Sequence, residues 1–437
     1  MNAATSPSHG WRTFRAGVCA LAAAFALAGC ADETLPPGTV EIRYWTGWTG
    51  DELNAQKRLV DEFNRTHPRI RVRVLSVAGS YQKVRIGFAG GATPDVVSAV
   101  WADELAGYAA RGVLRPLDPY LARSGRSIEE YVPGVSRMLQ FKGRPYALAV
   151  TTNTNFILFN KKIFREVGLD PERPPRTLDE LDAAAAACTQ RNPDGSFVRY
   201  GCRPTGLMQW AYVFGGQWYD SASGEVTANH PANVRALDWM ASYAAKYDVT
   251  RMQNFEATFG SNATPNGPFF VGKVAMWQTG EWARAHLTRH APNLEYGWFP
   301  FPIPPGGRPS TSGAGGSVFV IPVASRHPDE AWEFLDWLTK PYAVAEFCES
   351  ITNLPPLTEL GKSRRFRDVP LMRFALDLAA GQNVFGPPGM PVWPRYVQEI
   401  RRVEDYAIFG RKPAQGLLDD MDFRVERDLA RTLREVE

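Results

Sequence analysis

Three tryptophans and two carboxylates stand where short strands end. Trp45 and Trp48 lie at and just beyond a first alternating apolar segment, and Trp101 follows a second, with Asp103 and Glu104 beside it. In an open α/β sheet, ligands gather at the carboxyl ends of the strands, so these side chains share one rim. Flat indole rings cover the apolar C–H faces of a sugar, while carboxylates and amides bond its hydroxyls. The chemistry on offer is carbohydrate recognition; ordinary core packing is the other use of the same residues.

Other chemistries lack complete motifs. Gly361-Lys362-Ser363 ends like a phosphate loop, but Pro356 stands where its first glycine belongs. Gly313-Ala314-Gly315-Gly316 has Val318 in place of the third glycine of a dinucleotide fingerprint, and no Gly-x-Ser-x-Gly elbow occurs. His286 and His290 share a helix face, yet Leu287 replaces the glutamate of a zinc protease, so they read as residues near a helix end. No cofactor and no metal is expected. A catalytic carboxylate pair needs no fixed spacing, which leaves Asp103, Glu104 and Glu281 open for that role.

The chain has 437 residues, 44% hydrophobic and 22% charged, a globular composition long enough for two domains. Arg12 and Arg15 precede an apolar stretch at 16–27, too short to cross a bilayer and suited to a signal segment. Without residues 1–29, 47 basic residues face 46 acidic ones, which argues against a nucleic-acid partner. Leu27-Ala28-Gly29-Cys30 resembles the lipobox of bacterial lipoproteins, in which the cysteine receives a diacylglyceryl group. Residues 30–39 then form a short tether. Outside the cytoplasm, Cys188 and Cys202 could bridge around the turn Asn192-Pro193-Asp194-Gly195, the other possibility being two separate thiols. Cys348 sits in an apolar helical pattern.

Periodicity supplies the elements that position the rim. Strands are expected at 41–45, 70–74, 95–99, 156–159 and 318–321, and helices at 51–67, 81–90, 103–111, 177–188, 233–246 and 329–339. Thr177 with Glu180 three residues later predicts a capping box, and five prolines at 300–309 a loop. The alternation of strand and helix predicts an α/β domain with a mainly parallel sheet.

Several segments carry a family resemblance. They are Pro94-Asp95-Val96-Val97 running to Gly112-Val113-Leu114-Arg115-Pro116-Leu117; 153–161 with Phe164-Arg165-Glu166-Val167-Gly168-Leu169; Phe270-Val271-Gly272-Lys273-Val274-Ala275-Met276; and Gly316-Ser317-Val318-Phe319-Val320-Ile321-Pro322. In order and spacing they resemble the extracellular solute-binding proteins of carbohydrate ABC importers, the group that includes maltose-binding protein. The resemblance implies a two-domain, type II periplasmic-binding fold with its ligand cleft between the domains. It places one α/β domain at 40–150 plus 315–350 and the other at 151–314 plus 351–437. It also implies cleft positions: Trp45, Trp101 and Asp103, Asn153 in the first crossing, Gln209 and Trp210 at a helix start, Trp282 with Gly280 and Glu281 adjoining, Gly316 and Ser317, and Trp393. Trp48 and Trp277 are additions of this sequence. The implied partners are a sugar, the transmembrane subunits of a permease with a separate ATPase, and a membrane reached through the lipid anchor, for a monomer on the periplasmic or extracellular face. Two rival readings are a glycerol-phosphate ester or other charged solute, with Arg203 or Arg284 as the cleft cation, and a surface-anchored glycosidase or lyase.

Overall fold

The computed structural model describes residues 35–410 and 412–436; the signal segment and Cys30 lie outside the described residues. The chain opens as β1 (Val40–Thr46), α1 (Gly50–Thr66), β2 (Ile70–Ser76), α2 (Tyr81–Gly90), β3 (Val96–Trp101) and α3 (Ala102–Ala110). Alternation along β1 buries Ile42, Tyr44 and Thr46, and α1 lays Leu59, Val60 and Phe63 over the same core. Gly91 ends α2 at φ 66°, where only glycine is unstrained.

The chain then crosses to β4 (Asn155–Asn160), α4 (Leu178–Cys188), α5 (Leu207–Val213), α6 (Pro231–Tyr247), β5 (Met276–Gly280), α7 (Ala283–His290) and β6 (Tyr296–Phe299). Both bonds of the capping box at Thr177 and Glu180 are present at the start of α4. It returns as β7 (Ser317–Val320), α8 (Pro328–Leu338) and α9 (Pro341–Ile351), and closes with α10 (Pro370–Ala379), α11 (Trp393–Ile408) and α12 (Ala414–Val436).

Two sheets result. The first has order β7-β3-β1-β2, with β1 parallel to β2 and β3, and β7 antiparallel on β3. The second, β5-β4-β6, is wholly antiparallel. Its central strand is buried on both faces: Phe156 and Leu158 join one core cluster, Ile157 and Phe159 the other. Beside the crossings, Thr152 pairs with Leu354, and the Asn155 N–H donates to Ser312 Oγ at 2.8 Å. The first cluster also takes in Leu354, Phe366 and Met372, so the segment after α9 packs astride the lobes.

The expected Cys188–Cys202 bridge is corrected: both are free thiols, as is Cys348. Cys188 ends α4 inside the core and Cys202 lies beyond the following hairpin, both buried in the same apolar cluster. Burial pushes their thiols up to about 11 and about 12.

Candidate functional site

Two compartments between the lobes form one trough. The first, about 380 Å³, lies against the ends of β1 and β3 and is faced from the second lobe by Glu281, Trp282 and His286. The second, about 250 Å³, holds Asp103, Gln209, Tyr212, Phe385 and Trp393. Trp101, Asn153, Gly315 and Gly316 line both. Neither lining contains an arginine or a lysine among the described residues.

Backbone pairing explains the position of Trp101. Its Cα pairs with Ser317 of β7, and the next residue, Ala102, donates its N–H to Gly316 O at 3.1 Å. Gly316 adopts φ 133°, a conformation closed to most side chains. The Trp101 side chain is left 48% exposed where the compartments join. Trp48 is held from below: its ring packs on Phe347 at 4.7 Å, and Ser76 Oγ donates to its carbonyl at 2.8 Å. Under that loop, the Tyr44 hydroxyl and the Thr46 hydroxyl both donate to Gln56 Oε1, at 2.7 and 2.9 Å, fixing the strand end.

In the second compartment, Glu404 of α11 accepts the N–H groups of Gly206 and Leu207 at 2.9 and 2.8 Å, which seats the start of α5. Gln209 then faces the trough with its Nε2 buried and unpartnered. Trp393 is 1% exposed, presents only an edge, and donates its Nε1–H to Asp103 Oδ1 at 3.3 Å.

Of the residues expected in the cleft, Trp48, Trp101, Asp103, Asn153, Gln209, Glu281, Trp282, Gly316, Ser317 and Trp393 line the trough. Four do not. Trp45 lies within β1, one residue short of its end, and alternation turns it under α2, where Lys83 Nζ sits 4.9 Å from its ring centroid. Trp210 is fully buried with Leu207 and Ala211 on the inner face of α5, packed on Trp239 at 4.5 Å. Trp277 packs on Phe269 and Phe270 at 5.7 and 6.0 Å. Gly280 is backbone under a ring: a Cβ there would stand 2.1 Å from Trp282 Cζ3 and 2.3 Å from Thr154 O. Glu104 is also turned away, paired with Arg85 at 2.8 Å in a separate cavity of about 620 Å³ between α3 and the C-terminal helices. Arg203 is held by Glu256 at 2.8 Å, and Arg284 is absent from either lining.

Sequence reasoning missed Tyr81, Glu52, Thr152, Asn155, Tyr212, Phe385 and Asn353, and gave His286 no place in the trough. For Tyr81, which opens α2 directly beyond β2, the rim argument was available. The others arrive from distant segments.

The sequence profile of the bacterial extracellular solute-binding proteins matches residues 49–345, more than half of the chain. The chain belongs to this family. Relatives of this solute-binding protein include the maltotriose-binding protein of Pyrococcus abyssi, 21% identical over 77% of this chain and 70% of that one. The sn-glycerol-3-phosphate-binding periplasmic protein of Pectobacterium atrosepticum is 24% identical over 94% of each chain. Among solved structures, CpMnBP1 with mannotriose bound superposes with a TM-score of 0.78 at 28% identity, covering 88% of this chain and 99% of that one. The architecture is accordingly the two-domain, type II periplasmic-binding fold.

In this solute-binding protein, the electrostatics of the trough are set mainly by burial. Glu281 is 1% exposed, and its Oε2 accepts from Thr154 N–H at 2.9 Å and the Thr154 hydroxyl at 3.2 Å. Burial outweighs those bonds and pushes its carboxyl up to about 7. Asp103 is raised mainly by burial, and Glu52 by burial and then by Asp51. Burial, His290 and Arg289 hold His286 below the usual imidazole range.

A carboxyl raised on folding favours the folded state while protonated and loses that advantage as pH rises from its unfolded value through about 7. Glu281 is therefore expected to cost ~3 kcal/mol of stability on going from mildly acidic to mildly alkaline pH. Urea unfolding of the wild type and Glu281→Gln across that range checks this; the variant should lose that part of the slope.

Proposed function

We propose that this chain is the substrate-binding lipoprotein of an ABC importer, taking a di- or oligosaccharide in its trough and delivering it to a membrane permease driven by a separate ATPase. The observation that carries this reading is the wall of the trough. Trp48, Tyr81, Trp101 and Trp282 alternate there with amides and carboxylates, without a single arginine or lysine. Two buried polar atoms, Thr152 Oγ1 and Gln209 Nε2, have no partner and suit the hydroxyls of a ligand. The sugars bound by CpMnBP1 and named for the Pyrococcus abyssi protein support the same class.

A glycerol-phosphate ester is the ligand named for the Pectobacterium atrosepticum relative, but a phosphate calls for a cleft cation. Arg203 is committed to Glu256 and lies outside the trough. The family is one of binding proteins rather than enzymes, and Glu104, one of the three acids weighed for a glycosidase, is drawn off by Arg85.

Leu27-Ala28-Gly29-Cys30 supports a lipid anchor at Cys30, with 30–39 as tether, holding a monomer at the outer face of the membrane. Among the described residues no helix is long and apolar enough to cross a membrane. We place the lobes at 40–150 plus 315–350 and 151–314 plus 351–437; the return of β7 to the first sheet supports the division.

Calorimetry against mono-, di- and oligosaccharides tests the function. A dissociation constant on the order of 1 μM is expected for at least one, about −8 kcal/mol, with the sugar recovered intact. No heat with any saccharide or polyol would overturn the substrate class.

A further inference from the structure

Building on the sugar-binding reading, we propose that the saccharide is amine-bearing, its ammonium held in the first compartment by Glu52, Glu281 and the surrounding aromatic rings. The compartment contributes two carboxylates and Trp48, Tyr81, Trp101 and Trp282, with no arginine or lysine. The cations nearby are already committed. Arg289 pairs with Asp51 at 3.1 Å, Arg85 with Glu104 at 2.8 Å, and Lys83 lies over the Trp45 ring. Among the described residues neither Glu52 nor Glu281 has a salt-bridge partner.

A neutral sugar closing over this wall would strip water from the exposed Glu52 and leave the already buried Glu281 without an opposite charge. Such burial is costly for an ionised group. An ammonium removes the cost: its N–H groups make charge-assisted bonds to carboxylate oxygens, and its charge is attracted by the faces of indole and phenol rings. Glu281 lines the compartment, with Oε2 engaged by Thr154. A second, independent feature lies on the same wall. Thr152 is 1% exposed, lines the compartment, and its hydroxyl has no partner, so it offers an acceptor for an ammonium N–H. His286, the remaining titratable group of the lining, does not compete, because burial and the neighbouring His290 and Arg289 disfavour its cationic form. Asp103 adds a third carboxylate in the second compartment; Arg401, which acts on it, is outside either lining.

Calorimetry near neutral pH, where the Glu281 carboxylate is available to an ammonium, separates the possibilities. The probes are glucosamine, galactosamine, mannosamine and the chitosan di- and trisaccharides, each beside its N-acetylated and its hydroxyl counterpart, with maltotriose and mannotriose as neutral controls. At least one amine is expected to bind about tenfold or more tightly than both its neutral counterparts. Glu281→Gln should collapse that ratio. Glu52→Gln, at an exposed position where folding is not at stake, should reduce it too. Neutral saccharides binding as well as or better than every amine would overturn the proposal and leave the sugar-binding function standing. Silence from every saccharide, with heat from tetramethylammonium alone, would overturn the sugar reading while retaining a cation pocket.

Discussion

Trp101→Ala is expected to weaken sugar binding about 100-fold, near 3 kcal/mol, with the melting temperature unchanged. The side chain is 48% exposed in the open trough, so truncation removes little packing. A sugar laid across the join of the two compartments would cover the exposed part of the indole. About 100 Å² of apolar surface at about 25 cal/mol per Å² gives ~2.5 kcal/mol, to which stacking adds. The ring is also pre-placed by the Ser317 pairing and the Gly316–Ala102 bond, so little ordering cost offsets that gain. Calorimetry and thermal melts on the same variant decide the matter. An unchanged affinity would put the sugar elsewhere.

Trp210→Ala should do the opposite, lowering stability by about 3–5 kcal/mol. The indole is fully buried, packs on Trp239 and on Phe301 at 5.0 Å, and donates its Nε1–H to Gln278 Oε1 at 3.0 Å. Removing it opens a cavity and orphans the Gln278 oxygen. Urea unfolding is the readout. Affinity, measured well below the unfolding transition, should change far less than in Trp101→Ala, since Trp210 touches neither compartment. A stable variant would return Trp210 to the cleft wall.

The pair shows where sequence reading succeeds and where it stops. Both residues are tryptophans, and both were expected to meet ligand. For Trp101 the argument was local: it closes a buried strand, and a strand's carboxyl end faces the cleft. For Trp210 the deciding fact is rotation about α5. One residue is about 100° on a helix, so Gln209 faces the trough while Trp210 joins Leu207 and Ala211 inside. Trp45 and Trp48 repeat the lesson on a strand, because β1 runs on to Thr46 and Trp45 remains inside the alternating pattern.

By itself the sequence determined the alternating strands and helices of the first lobe, the capped start of α4 and the placing of Trp48 and Trp101 near strand ends, because each follows from repeats of two or 3.6 residues and from local capping. Only the tertiary structure decided that the second sheet is antiparallel, that Cys188 and Cys202 are free thiols, and that Glu52, Thr152, Glu281 and His286 meet around one hollow lined without arginine or lysine. Those residues are up to 234 positions apart between Glu52 and His286, and no local period relates them. Their meeting depends on how two lobes bury their separate cores and leave a gap between, a property of the whole packed chain.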